Sequence, residues 1–314
     1  CSIGVAMITS ANLKPAELLA RADVACHEAK TRGRNRFEVY KASGAEMRTM
    51  TADVGWSQKI KQALKDDLFV LHYQPIVEIR SGKPTHYEVL LRMRSNKKLV
   101  PPTAFLPAAS RFGLMTEVDE WVIRNAMKTL AEFRANGEDL VFTLNISGNI
   151  FEESDLYQCI AENLSNNDLP ANRIVLEITE QVAVRNLMTA AEQISEISQL
   201  GCRFAIDDFG AGYSSYTYLK SLPVDYIKID GSFIQNLGKD KVDQTIVSSI
   251  CEIAKATNKK TIAEHVKDAE TFRVLHNLGV HFGQGHYIGK PASRPATKKI
   301  AIPIRTVKRR RKAS

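Results

Sequence analysis

The feature that most constrains this chain is a series of short apolar runs that each end near a charged or amide side chain. These runs alternate with stretches of helical periodicity from about residue 140 onward. In one of them, Phe204-Ala205-Ile206 precedes Asp207 and Asp208, and an apolar run of this length is typical of a buried parallel strand. Strands and helices that alternate in this way predict a (β/α)8 barrel, whose active site forms where the strands end.

Five further runs carry a polar side chain at or near a strand end, namely Glu88, Asn145, Glu177, Lys228 and Glu264. Because a barrel brings these ends to one face, we expect the side chains to lie near Asp207 and Asp208. Adjacent carboxylates repel each other unless a cation lies between them, so the Asp pair indicates a metal site. Taken alone, Asp207-Asp208 is more typical of a turn that caps a helix, and Lys228 or Asn145 alone suits a structural role.

Composition excludes several classes of protein. The 314 residues suffice for a barrel and a shorter attached piece, and a hydrophobic content of 44% is ordinary for a soluble domain. No apolar run approaches the roughly 18 residues of a membrane span. The five cysteines are scattered without a C-x-x-C pair, which predicts free thiols, no disulfide and no zinc. We therefore expect a cytoplasmic protein, or the cytoplasmic part of a larger sensor or membrane-anchored protein, with membrane contact only through regions absent from this chain.

The net charge of +8 is concentrated at one end of the chain. Residues 298–314 contain eight basic residues and no acid, whereas the other 35 basic residues equal the 35 acidic ones in number. The charge pattern favours a disordered basic tail over one that contacts acidic membranes or nucleic acid. The balanced body of the chain argues against nucleic acid as a partner.

Several motifs in order resemble the EAL-domain family of cyclic di-GMP phosphodiesterases. Glu88-Val89-Leu90-Leu91-Arg92 is similar to the family's Glu-x-Leu-x-Arg signature, with Val in place of the usual Ala. Other matching segments are Tyr73-Gln74-Pro75-Ile76-Val77, Asn145-Ile146-Ser147, Asp207-Asp208-Phe209-Gly210, Lys228-Ile229-Asp230 and Gly283-Gln284-Gly285. The resemblance covers about residues 53–292. One segment departs from it: Glu264-His265-Val266-Lys267 stands where the family usually has Glu-Gly-Val-Glu, which replaces a small residue and reverses a charge.

The resemblance implies a TIM-like barrel at residues 53–297 with an antiparallel first strand, and hydrolysis of cyclic di-GMP to linear pGpG. It implies two Mg2+ or Mn2+ ions, a choice that oxygen ligands favour over zinc. One ion is expected at Glu88, Asn145, Glu177 and Asp207, and the second near Asp207, Asp208 and Glu264. The implied catalytic residues are Lys228, Glu264, Glu88 and Asp208. The implied substrate-binding residues are Gln74, Leu90, Arg92 and Gln284, and Glu180 is expected to brace the loop that follows Asp208.

Three expectations accompany this assignment. The larger Ca2+ ion should occupy the carboxylates and inhibit cleavage, because its ligand distances differ from those of Mg2+. A homodimer is expected. A catalytically silent cyclic di-GMP receptor is the alternative function, but degenerate receptors typically lose metal ligands, and every expected ligand is present here.

Residues 1–40 form a separate unit in the sequence pattern. Ser2–Ile8 and Phe37–Tyr40 are typical of strands, and Pro15–Thr31 has helical spacing that Gly33 ends. The stretch resembles the C-terminal end of a GGDEF diguanylate-cyclase domain without its signature motif. We therefore expect a fragment of a longer GGDEF-EAL protein that does not itself synthesise cyclic di-GMP. Residues 41–52, polar and without a clear period, are predicted to be a linker.

The pattern of the barrel region also predicts individual elements. Strands are expected at 68–79, 84–91, 140–146, 173–178, 203–207, 226–230, 260–263 and 280–283. Helices are expected at 53–65, 117–135, 151–164, 187–199, 214–220, 240–257 and 268–277.

Overall fold

The computed structural model describes residues 1–8, 18–19, 21–22, 25–26, 29, 35–40, 44–95, 98–153, 155–185, 187–210 and 218–295. The chain forms two compact units, the first from Cys1–Val70 and Leu91–Val122, the second from Leu71–Leu90 and Ile123–Ser314. Within the described ranges no helix is both long enough and apolar enough to cross a membrane. The predicted basic tail, 298–314, lies outside them.

The two N-terminal strands of the first unit are confirmed. Strand β1 (Ile3–Val5) and strand β2 (Phe37–Val39) pair in parallel. Parallel neighbours need a crossover connection, which is the role expected of the helix at Pro15–Thr31. Most of that helix lies outside the described residues, and its described residues between Leu18 and Ala29 are helical. The assignment of residues 1–40 to a GGDEF domain stays a prediction.

Helix α1 (Gly44–Lys65) begins earlier than the sequence predicts. An irregular linker was expected at 41–52 and a helix only from Asp53, whereas residues 44–52 belong to the same helix. Ala, Glu, Met and Arg are common in that stretch and are strong helix formers. Because they lack a regular apolar period, the pattern gave no helical signal there.

The rest of the first unit is built from short elements. Strand β4 (Pro84–Ser95) pairs through its last residues with the antiparallel strand β5 (Lys98–Val100). A 3-10 turn (Pro102–Ala104) then leads into helix α2 (Leu106–Arg111).

Two buried aromatic residues pack against other aromatic rings of the core. In the first unit Phe105 is fully buried, and its ring centroid lies 6.4 Å from that of Trp56 and 5.7 Å from that of Phe69. In the second unit Tyr73 is buried with its ring centroid 5.1 Å from that of Phe142.

The second unit contains a closed eight-stranded barrel. Its strands are β3 (Phe69–Glu78), β4, β6 (Phe142–Asn145), β7 (Ile174–Thr179), β8 (Arg203–Phe209), β9 (Tyr226–Ile229), β10 (Lys260–Ala263) and β11 (Phe282–Gln284). Around the barrel the order is β3-β11-β10-β9-β8-β7-β6-β4, and β4 pairs again with β3. In the barrel each strand runs parallel to its neighbour in the order β4, β6, β7, β8, β9, β10 and β11, whereas β3 is antiparallel to β11. The predicted barrel with an antiparallel first strand is confirmed.

Helices follow most strands. They are α3 (Met115–Ala135), α4 (Ile150–Glu153), α5 (Leu156–Asn166), α6 (Glu180–Arg185), α7 (Leu187–Gln199), α8 (Tyr218–Ser221), α9 (Gly231–Ile234), α10 (Lys241–Ala256) and α11 (Ala269–Leu278). The helix predicted at 151–164 is divided, because Asp155 starts a new helix by accepting a hydrogen bond from the Gln158 amide. Helix α6 was not predicted.

The barrel interior is filled below the strand ends by one apolar layer. Its buried side chains are Ile76, Val141, Val175, Ala205, Tyr226, Ile262 and Phe282. A larger cluster, which includes Leu176, Phe204 and Ile227, packs the opposite face of the strands with the helices. Because these strands are buried on both faces, they appear in the sequence as continuous apolar runs.

Candidate active site

Alternation along the strands brings the polar residues together at one end of the interior layer. Successive side chains of a strand point to opposite faces, so residues two positions apart share a face. Five layer residues are each followed two positions later by a polar residue, in turn Glu177, Asp207, Lys228, Glu264 and Gln284. Gln74 instead precedes its layer residue Ile76, and it reaches the same end because β3 runs antiparallel.

Lys228 is the centre of the charged cluster. Its side chain is fully buried, and Nζ lies 2.8 Å from Glu177 Oε2, 3.0 Å from Asp207 Oδ1 and 2.9 Å from Glu264 Oε1. An ammonium has three N–H donors, and this geometry directs one to each carboxylate. Lys228 therefore holds three carboxylates from three different strands in fixed positions.

The cluster carries more negative than positive charge. Burial lowers the pKa of Lys228, but Glu177, Glu88, Glu264 and Asp207 together hold that pKa well above its usual range. The neighbouring carboxylates therefore favour the ammonium form of Lys228. Burial raises the pKa of Glu177, and it raises the pKa of Glu264 to about 7, with Lys228 opposing both shifts. One buried ammonium is too little charge to balance its carboxylate neighbours.

A β-bulge places the two aspartates together. In the pairing of β8 with β9, Ile206 is opposite Ile227 and Phe209 is opposite Ile229, so Asp207 and Asp208 face a single residue. Asp208 has φ 54°, in the left-handed region, and its amide donates to Asp207 Oδ1 at 2.9 Å. In a regular strand neighbouring side chains point apart. Here Asp207, Asp208 and Glu264 each offer an oxygen within 4.8 Å of the others.

An amide network surrounds Glu88, on the strand beside the cluster. Asn145 Nδ2 donates to Glu88 Oε1 at 2.7 Å, and Gln284 Nε2 donates to Glu88 Oε2. Gln284 also lies 3.2 Å from Gln74 Oε1, while Gln74 Nε2 donates to the Gly289 carbonyl at 3.0 Å. The predicted metal ligands Glu88 and Asn145 are thus in contact, and so are the two glutamines assigned to the substrate.

Glu180 contacts Gly210 and Tyr218, the described residues on either side of 211–217. Its Oε2 accepts from the Gly210 amide at 3.1 Å, and its Oε1 accepts from the Tyr218 hydroxyl at 2.8 Å. The side chain is buried at the first residue of α6. Its role as a brace stays a prediction.

The remaining substrate-binding assignments lie further along β4. Leu90 is half-buried, two residues past Glu88. Arg92 belongs to the first unit, where its Nη1 donates to the Leu91 carbonyl at 2.7 Å. Both assignments rest on the motif and stay predictions.

A cavity of about 590 Å³ opens beside the cluster, and several of its lining residues were not predicted. Glu88, Glu264, Gln74 and Gln284 line one part. Further residues of the lining are Gln235, Asn236, His265, Val266, Lys267, Gly285 and His286. Lys267 Nζ donates to the Gln235 carbonyl and makes no ion pair with Glu264, although the sequence marked Lys267 as a charge beside the site.

The donor set fits divalent cations. Glu177 Oε1 is buried and has no hydrogen-bond partner among the described groups, although Glu177 lies at the centre of the cluster. Carboxylate and amide oxygens with excess negative charge are the ligands that Mg2+ and Mn2+ prefer. An orphaned carboxylate oxygen beside three further carboxylates is a position where a cation would replace the missing partner.

The family of this chain follows from comparison with known proteins. The EAL domain family matches residues 57–291. This chain belongs to the EAL domain family. Over 292 residues it is 37% identical to the cyclic di-GMP phosphodiesterase PdeB of Shewanella oneidensis, a match that covers 92% of this chain and 34% of PdeB. The chain thus spans about a third of the length of that relative.

Solved structures of the family have the same fold. The PaMucR phosphodiesterase in complex with cyclic di-GMP matches with a TM-score of 0.72 and 34% identity, over 76% of this chain and 97% of that one. The EAL domain of FimX from Pseudomonas aeruginosa, bound to cyclic di-GMP, matches with a TM-score of 0.73 and 30% identity, over 78% of this chain and 99% of that one.

Proposed function

We propose that this chain is a divalent-metal-dependent phosphodiesterase that hydrolyses cyclic di-GMP to linear pGpG. The observation that carries the proposal is the cluster at the strand ends, where Lys228 lies within 3.0 Å of three carboxylates and Asp208 is beside them. The activity named for PdeB and the ligand in the PaMucR complex support the same reaction.

The metal site is proposed to hold two ions. Glu88, Asn145, Glu177 and Asp207 would bind one ion, and Asp207, Asp208 and Glu264 the other. Bound Mg2+ or Mn2+ supplies an acidified water and neutralises charge on the phosphoryl oxygens. Ca2+ prefers longer ligand distances and more ligands, so it is expected to support binding but not cleavage.

The protein groups position the reactants. As an ammonium, Lys228 would donate hydrogen bonds to the attacking water or to the carboxylates. By holding Glu177, Asp207 and Glu264 in place, it keeps the negative charges where they face the phosphate site, which is electrostatic preorganisation. Glu88 and Asp208 complete the proposed catalytic set.

Substrate recognition is assigned to groups at the edge of this cluster. The linked amides of Gln74 and Gln284 offer donors and acceptors suited to a guanine base. Leu90 is proposed to contact the nucleotide, and Arg92 to bind a phosphate through its planar guanidinium.

The wider context extends the proposal. We assign residues 1–40 to the end of a GGDEF domain, residues 53–297 to the EAL barrel, and the chain to a homodimer in the cytoplasm. The molar mass of the purified protein at micromolar concentration, measured by light scattering, tests whether it is a homodimer.

One assay tests the function directly. Purified protein is incubated with cyclic di-GMP in Mg2+, Mn2+ or Ca2+, and pGpG is measured by chromatography while binding is measured by calorimetry. We expect pGpG with Mg2+ or Mn2+, and binding with little pGpG in Ca2+. Glu177→Gln should abolish cleavage, whereas Glu196→Gln, an exposed glutamate on α7, should not.

The receptor alternative has its own signature in this assay. It is favoured if the protein binds cyclic di-GMP but yields no pGpG at any Mg2+ or Mn2+ concentration. Recovery of cleavage in Lys267→Glu would then identify the reversed charge at that position as the cause.

A further inference from the structure

The cavity beside the carboxylate cluster has a basic wall that the reaction itself does not use. His265, Lys267 and His286 line this wall and are exposed, whereas Glu88 and Glu264 line the side of the cluster. We infer that Lys267 binds the O6 and N7 edge of a guanine of the substrate, and that it makes this pocket prefer guanine to adenine. The inference rests on the proposed function, since it takes a cyclic purine dinucleotide as the ligand.

The loops that carry the wall are fixed to each other. The Val266 amide donates to the Gln284 carbonyl at 2.9 Å, and the Tyr287 amide donates to the Val266 carbonyl at 3.1 Å. Gly285 has φ 154°, and a Cβ there would lie 2.3 Å from the Val266 backbone, so only glycine permits this approach. Two loops in such close contact present Lys267 at a defined position.

The Lys267 ammonium is placed but not neutralised. Its Nζ donates to the carbonyl of Gln235, the residue that ends helix α9. In the part of the chain that the structure describes, no carboxylate lies within the 4.0 Å of an ion pair with it. One of its three N–H donors is occupied by Gln235, so two remain for a ligand.

The two N–H donors that Lys267 has available match a base edge that presents two acceptors. A guanine is neutral and presents two acceptors, O6 and N7, to a lysine. Adenine replaces O6 by an amino group, which turns a donor toward the ammonium. The lysine ammonium donates hydrogen bonds, whereas a glutamate at this position would accept them. The reversed charge at position 267 therefore changes which base edge the wall binds.

The test compares purine preference across variants. Binding of cyclic di-GMP and cyclic di-AMP is measured by calorimetry in Ca2+, for the wild type, Lys267→Gln, Lys267→Arg and the control Lys255→Gln. Lys255 is exposed in the last turn of α10, at the other end of the barrel. Lys267→Gln should lower the ratio of the two affinities at least about fivefold, whereas Lys267→Arg should keep it. Lys255→Gln should leave it unchanged. Melting temperatures confirm that each variant is folded.

Two results would overturn the inference. If Lys267→Gln weakens both dinucleotides equally, Lys267 contacts a phosphate and not a base. If the ratio stays within about twofold of the wild type, Lys267 contacts neither. Failure of the proposed function is a separate result: the wild type would yield no pGpG in Mn2+, while a changed affinity ratio in Lys267→Gln would still support the base contact.

Discussion

The carboxyl and amino ends of the barrel both bury polar side chains, but they compensate them differently. At the carboxyl end the single ammonium of Lys228 meets Glu177, Asp207 and Glu264, and an oxygen of Glu177 is left without a partner among the described groups. Charge and hydrogen-bonding capacity therefore remain available for a ligand. This end is prepared to bind something that the protein does not supply.

At the amino end, the polar atoms of His86 are paired within the protein. His86 Nδ1 lies 2.8 Å from the Thr85 hydroxyl, its Nε2 lies 3.3 Å from the Tyr226 hydroxyl, and that hydroxyl accepts from Arg203 at 3.2 Å. The His86 ring meets Tyr226 and Phe282 edge-on. Burial lowers the pKa of His86 to about 4, assisted by Arg203 and Lys260, so the imidazole is neutral.

The contrast separates a functional end from a structural one within a single fold. Buried polar groups cost free energy unless they are paired. Around His86 hydrogen bonds offset that cost, whereas the carboxyl end retains excess negative charge. Changes at the two ends should therefore affect different properties, and the predictions below test that division.

The largest effect is expected from Lys228→Met. Removal of the ammonium leaves buried carboxylates without a cation, which should lower the free energy of unfolding by about 3 kcal/mol or more in the absence of metal. Cleavage should fall about 100- to 1000-fold, the usual range for loss of a preorganised electrostatic donor. Denaturant titration and pGpG release measure the two effects.

His86→Phe is the matched control at the amino end. It also removes a buried polar group, but its kcat should remain near that of the wild type. Equal losses of activity in Lys228→Met and His86→Phe would contradict the division of the barrel into two ends.

The second effect is an acid sensitivity that depends on His86. In the unfolded chain this histidine titrates near pH 6.5, whereas in the folded protein its pKa is about 4. Between these values the unfolded chain binds a proton that the folded protein does not. The contribution of His86 to the free energy of unfolding is therefore fully present above pH 6.5 and declines as the pH falls toward 4. The decline should amount to about 3 kcal/mol.

Comparison with His86→Phe isolates this contribution. The variant should be less stable than the wild type at pH 7.5, because the hydrogen bonds of His86 are lost, but its stability should fall less steeply between pH 6.5 and 4. Parallel pH profiles of unfolding free energy for the two proteins would show that His86 does not titrate as proposed.

The barrel was predictable because its strands are buried on both faces. Such strands appear in the sequence as apolar runs, and the polar residue at each end stands out against them. Helix α6 was not predicted, because its six residues are too few to show a helical period. The first residues of α1 were not predicted to be helical for a related reason. Residues 44–52 have helical propensity but no apolar stripe.

The gathering of polar side chains at the strand ends was predictable, but their contacts were not. Strand alternation would send Asp207 and Asp208 to opposite faces, and only the bulge with its left-handed Asp208 brings both to Glu264. A bulge depends on the pairing of two strands that are distant in sequence, so no local pattern reveals it. The contact of Lys267 with Gln235 likewise joins two loops whose proximity is a property of the fold.

The third prediction concerns the loop at the carboxyl end. Glu180→Ala removes the acceptor shared by Gly210 and Tyr218, so the two ends of the loop after Asp208 lose their common anchor. Metal affinity and activity should fall together by about tenfold, as for other residues that orient ligands without binding metal. The barrel should stay folded. Wild-type values for both quantities in Glu180→Ala would contradict the brace, and Glu196→Ala on α7 is the control.

The smallest effect tests whether the carboxyl end retains strain for binding. His265 and Asn258 both have left-handed backbones, with φ 53° and 55°, but His265 lines the cavity whereas Asn258 precedes β10 at the amino end. Glycine adopts this conformation freely, so each change to glycine should raise the free energy of unfolding by about 0.5 to 1 kcal/mol. His265→Gly should also weaken binding of cyclic di-GMP in Ca2+, because the imidazole wall is lost, and Asn258→Gly should not. If both variants gain stability and bind cyclic di-GMP with equal affinity, the His265 side chain has no part in ligand binding.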